Sequence, residues 1–352
     1  MEQMMGYFRE NIENLEAYVP GYQPAGNDVI KLNTNENAYG PSPKAGEALK
    51  NFSPDELRKY PQPSADKFRK IAAEVNNVGI DNIICTNGGD ELLTLAFRAF
   101  TDEKRNVCWA SPTYSLYDEL SGIQGCSALR VTYQPDEAVQ KIAEISASLS
   151  ILCNPNAPTG DFITPDRISM LAARLEGLGI LLIDEAYVDF APASCAPLVK
   201  EFDNIIVLRS MSKGYGLAGL RFGYGIVSEN LLEGLNKVRD SYNVNRLSVE
   251  IASAALADQN YFRKTVEKIK QQRETLRVEL VKLGFEVNKS HTNFVLAQHP
   301  EAKQIYNKLF EAGIIVRYFD LDGLRDKLRI TVGTNNQNNK LLDTLSTILP
   351  AL

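Results

Sequence analysis

Histidine is almost missing from this chain: His291 and His299 are the only two in 352 residues. That leaves little from which to build a histidine-ligated metal centre or a serine-type catalytic relay, and no metal is expected. Cysteine is sparse. Cys85, Cys108, Cys126, Cys153 and Cys195 are odd in number, widely spaced and mostly inside apolar runs. No pair has metal-ligand spacing, so they read as free, buried thiols of a reducing, cytoplasmic compartment. No apolar run approaches the ~18 residues a membrane span needs. The segment from Met1 to Tyr18 carries Glu2, Arg9, Glu10, Glu13 and Glu16 without an apolar stretch, which predicts that it is not a signal peptide. A basic surplus is lacking too. The chain has 38 Lys+Arg against 44 Asp+Glu, a formal charge of −6, so a nucleic-acid face is not expected. An anionic ligand would have to be held by a few placed arginines.

What is present is an ordinary soluble composition, 44% hydrophobic and 23% charged, with length enough for two domains. Residues 1–43 read as an N-terminal arm and a loop, Ile30-Lys-Leu-Asn33-Thr-Asn35-Glu-Asn37-Ala-Tyr39-Gly-Pro41, whose amides, glycine and prolines resist regular structure. That loop is either plain surface or a cover over a ligand. From Ile80, short apolar runs alternate with amphipathic helices. The runs are Asn82–Cys85, Asn106–Ala110, Ala128–Thr132, Ser150–Cys153, Ile180–Ile183, Asn204–Leu208 and Phe222–Val227. This predicts an α/β fold with a mostly parallel seven-stranded sheet flanked by helices. The seventh run follows the sixth without room for a helix, as an antiparallel strand would. Helical periodicity then fills 229–283, where the charges from Lys264 to Glu279 read as a solvated face. Shorter α+β runs follow, and a large domain over 44–248 is expected before a smaller one over 249–352.

In an open parallel sheet, ligands sit beyond the carboxyl ends of the strands. After Cys85 comes Thr86-Asn87-Gly88-Gly89-Asp90 and a helix. Glycines at a helix N-terminus can cradle an anion, though a bare strand-to-helix turn would look the same. The third glycine of the dinucleotide fingerprint is missing, which argues against a nicotinamide oxidoreductase. Tyr114 leads a helix at the next strand end and could stack on a planar ring or simply fill the core. Asn154-Pro155-Asn156-Ala157-Pro158-Thr159-Gly160 is a rigid turn offering amides. Asp184 ends a wholly apolar run. Buried, it needs a partner such as a protonated ring nitrogen, an ion pair or a helix cap. Lys213, among serines and glycines past another buried strand, is a candidate for imine chemistry, because desolvation and a nearby cation favour its neutral amine. Arg221 follows. Lysine, aspartate, aromatic ring, amide, anion cradle and arginine form the set that pyridoxal phosphate requires.

These residues resemble the fold-type I pyridoxal-phosphate aminotransferases, and among them the histidinol-phosphate aminotransferase family, from Tyr18 to Gly333. The most specific pieces are Lys31–Asn37, Pro155–Gly160, Asp184–Tyr187, Ser212-Lys213 with Gly219-Leu-Arg221, and Leu328–Gly333. The resemblance implies that Lys213 carries pyridoxal 5'-phosphate as a Schiff base, Asp184 faces the pyridine nitrogen, Tyr187 the ring phenolate and Tyr114 the ring face. It implies that Gly88, Gly89, Asp90, Ser210, Ser212 and Arg221 surround the phosphate, and that Tyr60 reaches the phosphate of a second subunit in a homodimer. Arg329 would grip the substrate carboxylate, and Arg317 with Tyr18 and Asn37 would face the rest of the substrate. The implied substrates are histidinol phosphate with 2-oxoglutarate, or glutamate in reverse. The family's turn commonly has a second Asn touching the ring oxygen, and here that position is Ala157, leaving Asn156. Its Asn-Pro-Tyr-Gly reads Asn37-Ala38-Tyr39-Gly40. An aromatic amino acid aminotransferase or a threonine-phosphate decarboxylase would share the cofactor residues. A non-catalytic sensor on this fold would need a DNA-binding module, for which the acidic N-terminal arm is too short.

Overall fold

The computed structural model describes residues 7–15, 21–24 and 29–352. Its strands are β1 (Ile30–Lys31), β2 (Ile83–Thr86), β3 (Val107–Ser111), β4 (Ala128–Thr132), β5 (Leu149–Cys153), β6 (Ile180–Asp184), β7 (Ile205–Ser210), β8 (Gly223–Val227), β9 (Glu286–Val287), β10 (Phe294–Gln298), β11 (Ile314–Ile315), β12 (Arg317–Tyr318) and β13 (Lys327–Thr331). A seven-stranded sheet runs β2-β8-β7-β6-β5-β3-β4. β8 is antiparallel to both β2 and β7, and the remaining pairs are parallel. The antiparallel strand is therefore the seventh apolar run, whose tight connection to β7 leaves no crossover helix.

The central strands read as unbroken apolar runs because both faces are covered. Ile205 and Val207 enter one core with Leu181, Ile183 and Phe68. Their neighbours Ile206 and Leu208 enter the opposite core with Leu182, Trp109 and Leu92. The period-2 alternation of a strand thus becomes two apolar layers rather than one inside and one outside.

A second, four-stranded antiparallel sheet has the order β12-β13-β10-β9. It packs with Leu276, Leu280, Ile305 and Leu341 into its own core, which also takes Leu32 from the N-terminal loop. β1 pairs in parallel with β11, so the loop at 32–37 starts from the C-terminal part of the molecule. The helix Arg246–Ala257, across which the expected boundary at 248 falls, sends Val249, Ile251, Ala252, Ala255 and Leu256 into the large-sheet core. The next helix, Gln259–Lys282, shares its length between a cluster with Phe190 and Val332 and the small-sheet core. Its charges are not all solvated: Arg273 is buried and donates to the Thr292 carbonyl at 2.7 Å. All five cysteines are free and buried. Among the described residues no helix is long and apolar enough to cross a membrane.

Candidate active site

The last residues of β3, β5, β6 and β7, which are Ser111, Cys153, Asp184 and Ser210, line one cavity of about 610 Å³. Its opposite wall comes from the small sheet and the loop at 33–35, with Arg317, Phe319, Arg329, Asn33, Thr34 and Asn35. The cavity lies where the carboxyl ends of the strands predict it, between two separately packed cores.

Lys213 enters from the loop after β7. Its Nζ donates to the Thr34 carbonyl at 3.2 Å and lies 5.6 Å from the centre of the Tyr187 ring. Burial, and next the Arg329 guanidinium, push the amine down to about 8. The loop is held from behind. The Asn37 amide donates to the carbonyls of Lys213 and Gly214 at 2.9 and 3.0 Å.

Asp184 is 3% exposed. Its Oδ1 accepts from the Ala186 N–H at 3.0 Å and its Oδ2 from the Tyr117 hydroxyl at 2.7 Å. Burial raises its pKa, and the Tyr117 hydrogen bond opposes the rise. A carboxylate with two partners still has acceptor capacity for a third donor.

At the β2 end, Gly88 adopts φ +82, and the helix Gly89–Phe100 starts directly after it. A Cβ on Gly223 would stand 2.7 Å from the Gly89 nitrogen, so only a glycine on β8 lets the helix terminus come this close. Arg221 Nη2 donates to Asp90 Oδ2 at 2.9 Å, and the Tyr114 hydroxyl donates to Asp90 Oδ1 at 3.4 Å. Gly89, Asp90, Tyr114, Ser210, Ser212 and Arg221 all line the cavity. Backbone N–H groups, a helix dipole and a guanidinium converge there, an arrangement suited to a phosphate.

Across the cavity, Arg317 and Arg329 are direct partners in the β12–β13 register. The Phe319 ring lies 5.3 Å from the Arg317 guanidinium and 5.4 Å from that of Arg329. Arg329 also packs over Phe294 and donates to the Asn33 carbonyl at 2.9 Å. Among the described residues no carboxylate forms an ion pair with Arg317. Two guanidiniums on one face of paired strands can together meet the two ends of a dianion.

The cavity therefore gathers Lys213, Asp184, Tyr187, Gly89, Asp90, Tyr114, Ser210, Ser212, Arg221, Arg317 and Arg329. Four expected residues stand elsewhere. Asn156 is outside the lining, which takes Ala157 instead. Its amide is consumed between its own turn and the loop after β3, donating to Pro112 O and Thr159 Oγ1 while accepting from Thr113 Oγ1. Asn37 is behind the lysine loop rather than toward a substrate, because two backbone carbonyls claim its amide. Gly88 lies beneath Arg221, where a Cβ would meet Nη2 at 2.8 Å. Tyr60 is 79% exposed and stacks on Tyr242, away from the cavity. Tyr18 lies outside the described residues. Sequence reasoning gave no role to Tyr117 or Asn35. A tyrosine three positions after Tyr114, and an amide in the loop already suspected of covering a ligand, were the available signals.

Known proteins share this chain's sequence pattern and fold. The pattern of the class I and II aminotransferases matches residues 27–345. Histidinol-phosphate aminotransferase 1 of Trichormus variabilis is 45% identical over 98% of this chain and 100% of its own length. The chain belongs to the histidinol-phosphate aminotransferase family. A further member, from Citrifermentans bemidjiense, is 40% identical over 97% of this chain and 98% of its own. The crystal structure of histidinol-phosphate aminotransferase from Sinorhizobium meliloti, in complex with pyridoxal-5'-phosphate, superposes with a TM-score of 0.90 at 24% identity, covering 99% of this chain and 98% of that one. L-threonine-O-3-phosphate decarboxylase from Porphyromonas gingivalis reaches 0.82 at 23% identity, over 92% and 100%. Aminotransferase and decarboxylase thus share this scaffold. The fold alone does not choose between them, and in this aminotransferase family the choice rests on the residues at the cavity.

Proposed function

We propose that the chain is a pyridoxal-phosphate-dependent aminotransferase that moves an amino group reversibly between histidinol phosphate and 2-oxoglutarate. The products are imidazole-acetol phosphate and glutamate, in L-histidine biosynthesis. One observation carries the reading: a desolvated lysine and a buried carboxylate share a cavity with two arginines set opposite each other. The relatives' names agree with it.

The residues fit the cofactor. Asp184 has acceptor capacity left for a ring N–H, and its buried charge gains from a cationic partner. No carboxylate among the described residues forms an ion pair with Lys213, so its amine is kept for a carbonyl. The Gly89 helix terminus and Arg221 would hold the phosphate, Tyr114 would lie against the ring and Tyr187 would donate to its oxygen. When bound, pyridoxal phosphate supplies an aldehyde carbon for the amine and a ring that takes up electrons from the substrate's Cα.

The remaining work belongs to the chain. Lys213, with an amine that is neutral slightly above pH 8, takes the proton from Cα and returns it on the other side of the exchange. A positioned acid–base group of this kind contributes roughly 10²–10⁴-fold. Asp184, as an anion, would accept from the ring N–H and keep that nitrogen protonated. Arg329 grips the α-carboxylate of glutamate. Arg317 meets either its second carboxylate or the phosphate of histidinol phosphate, since a planar guanidinium suits both. The small sheet supplies the wall facing the strand ends, so both arginines reach the side of the cavity away from Asp184. We also infer a cytoplasmic homodimer in which the exposed Tyr60, on a surface shared with Leu57 and Tyr242, reaches the partner's phosphate site.

The test is a visible-spectrum titration of the yellow holoenzyme with histidinol phosphate, phenylalanine and threonine phosphate. Histidinol phosphate is expected to bleach the colour at the lowest concentration, and 2-oxoglutarate to restore it with glutamate formed. Carbon dioxide released from threonine phosphate without a keto acid would make the chain a decarboxylase. A stronger response to phenylalanine would make it an aromatic aminotransferase.

A further inference from the structure

In this chain the amide that commonly touches the cofactor's ring oxygen is replaced by Ala157, and Asn156 is turned away from the cavity. The geometry points to Asn35 as the positioning residue that takes over, acting through Tyr187 by fixing the direction of its hydroxyl proton. The inference deepens the reading above and rests on it.

The hydrogen bonds run in one direction. The Asn35 backbone N–H, which can only donate, reaches Thr331 Oγ1 at 3.0 Å. The Thr331 hydroxyl has one proton to give, and among the described residues its acceptor is Asn35 Oδ1 at 3.0 Å. That identifies the acceptor end of the side chain, so the other end must be the –NH₂, and it donates to the Tyr187 hydroxyl at 2.9 Å. A phenol that accepts here still has its single proton to give, and the cavity is where it can give it. Asn35 is 1% exposed, and its own carbonyl accepts from Asn293 Nδ2 at 3.0 Å. Its backbone holds φ +56, a region where asparagine is among the few tolerated side chains. A residue anchored at four points, two on its backbone and two on its side-chain amide, is fixed in orientation, not adaptable. Thr331 and Arg329 lie two residues apart on β13 and so share a face of the strand. The strand that would grip the substrate carboxylate thus also orients Tyr187.

The groups around Tyr187 are Lys213 from its loop, Arg329 from β13, and Asp184 and Cys153 at the ends of β6 and β5, with the edge of Phe294 against its ring. Burial pushes the phenol up to about 12, so it carries its proton through the neutral range.

A donor to the ring oxygen favours that oxygen as an anion, so losing the donor raises the pH at which the yellow chromophore gives up its proton. The experiment compares reconstituted wild type, Asn35→Gly, Asn35→Asp, Tyr187→Phe and the Asn35→Gly/Tyr187→Phe double variant. Each is titrated across the neutral range by visible absorbance, with cofactor dissociation measured by equilibrium dialysis. Glycine tolerates the left-handed backbone and removes only the amide. Aspartate keeps the shape but accepts, turning the tyrosine proton away from the cavity. Asn35→Gly is expected to raise the midpoint by about one unit and weaken cofactor binding by about tenfold, with Asn35→Asp shifting further in the same direction. In the Tyr187→Phe background, Asn35→Gly should add nothing. An unmoved midpoint in both Asn35 variants, or an equal shift with and without Tyr187, overturns the inference while leaving the proposed reaction standing. A wild type that never turns yellow overturns both.

Discussion

The two walls of the cavity are built on opposite electrostatic principles. At the rim of the large sheet, opposite or complementary groups are paired: Asp184 has Tyr117 and Ala186, Arg221 has Asp90, and Tyr187 has Asn35. On the small sheet, two guanidiniums face each other in register and share one phenyl ring. The first wall is organised before anything binds. The second sets two guanidiniums in register, a pair that an incoming dianion can bridge. A cofactor that stays needs a preformed seat, whereas substrates that come and go are better met by charge that their arrival neutralises.

The largest effect expected from breaking this contrast is on the large-sheet side. Lys213→Ala should lower transamination by more than about 10⁴-fold and abolish the yellow colour, since one residue is both attachment point and proton carrier. Steady-state rates and an absorbance spectrum check it, and a full-speed variant would refute the assignment.

The same amine leaves a mark on stability. Folded, it titrates near 8, against 10.5 for the unperturbed group. Between those values the folded state binds fewer protons than the unfolded one, so unfolding free energy rises with pH through that window. The cost of Lys213 is therefore full below pH 8 and gone above about 10.5. In the cofactor-free protein, Lys213→Met should be more stable than wild type by about 3 kcal/mol at neutral pH, converging at high pH. Urea unfolding at several pH values measures this, and a pH-independent difference would count against it.

On the small-sheet side, Arg317→Ala should raise KM for histidinol phosphate roughly 10–100-fold, the value of one charge-assisted hydrogen bond. For an unphosphorylated aromatic amino acid the change should stay within about threefold. Equal effects on both would remove Arg317 from the phosphate end. The smallest effect belongs to the preformed wall. Tyr117→Phe strips one partner from a buried carboxylate and should cost about 1–2 kcal/mol in denaturant unfolding. A rise in cofactor dissociation should accompany it, because the lost hydrogen bond had opposed the upward shift of Asp184.

The seven strands, including the antiparallel one, were legible because apolar runs bounded by turns are a local signal. The residues ending those runs could be named as site candidates, because strand ends and ligand sites coincide in this architecture. Asn156 and Asn37 mark where that reasoning stops. Each lies within a few residues of the cavity, yet each amide is taken by a carbonyl 44 or 176 residues away in sequence that only the tertiary fold brings near. Tyr117 and Asn35 fail in the opposite sense: their local signals were too weak to assign a role, and their partners are 67 and 152 residues away.

By itself, the chain's order of residues determined the seven-stranded sheet and marked Lys213 and Asp184 as candidates, since these follow from hydrophobic period and from side-chain types at strand ends. Tertiary structure alone decided which amides point inward, which tyrosine holds Asp184, and that two arginines twelve positions apart in sequence stand opposite each other. Hydrogen-bond direction and cross-strand register depend on atoms brought together by folding, and no neighbour in the sequence carries that information.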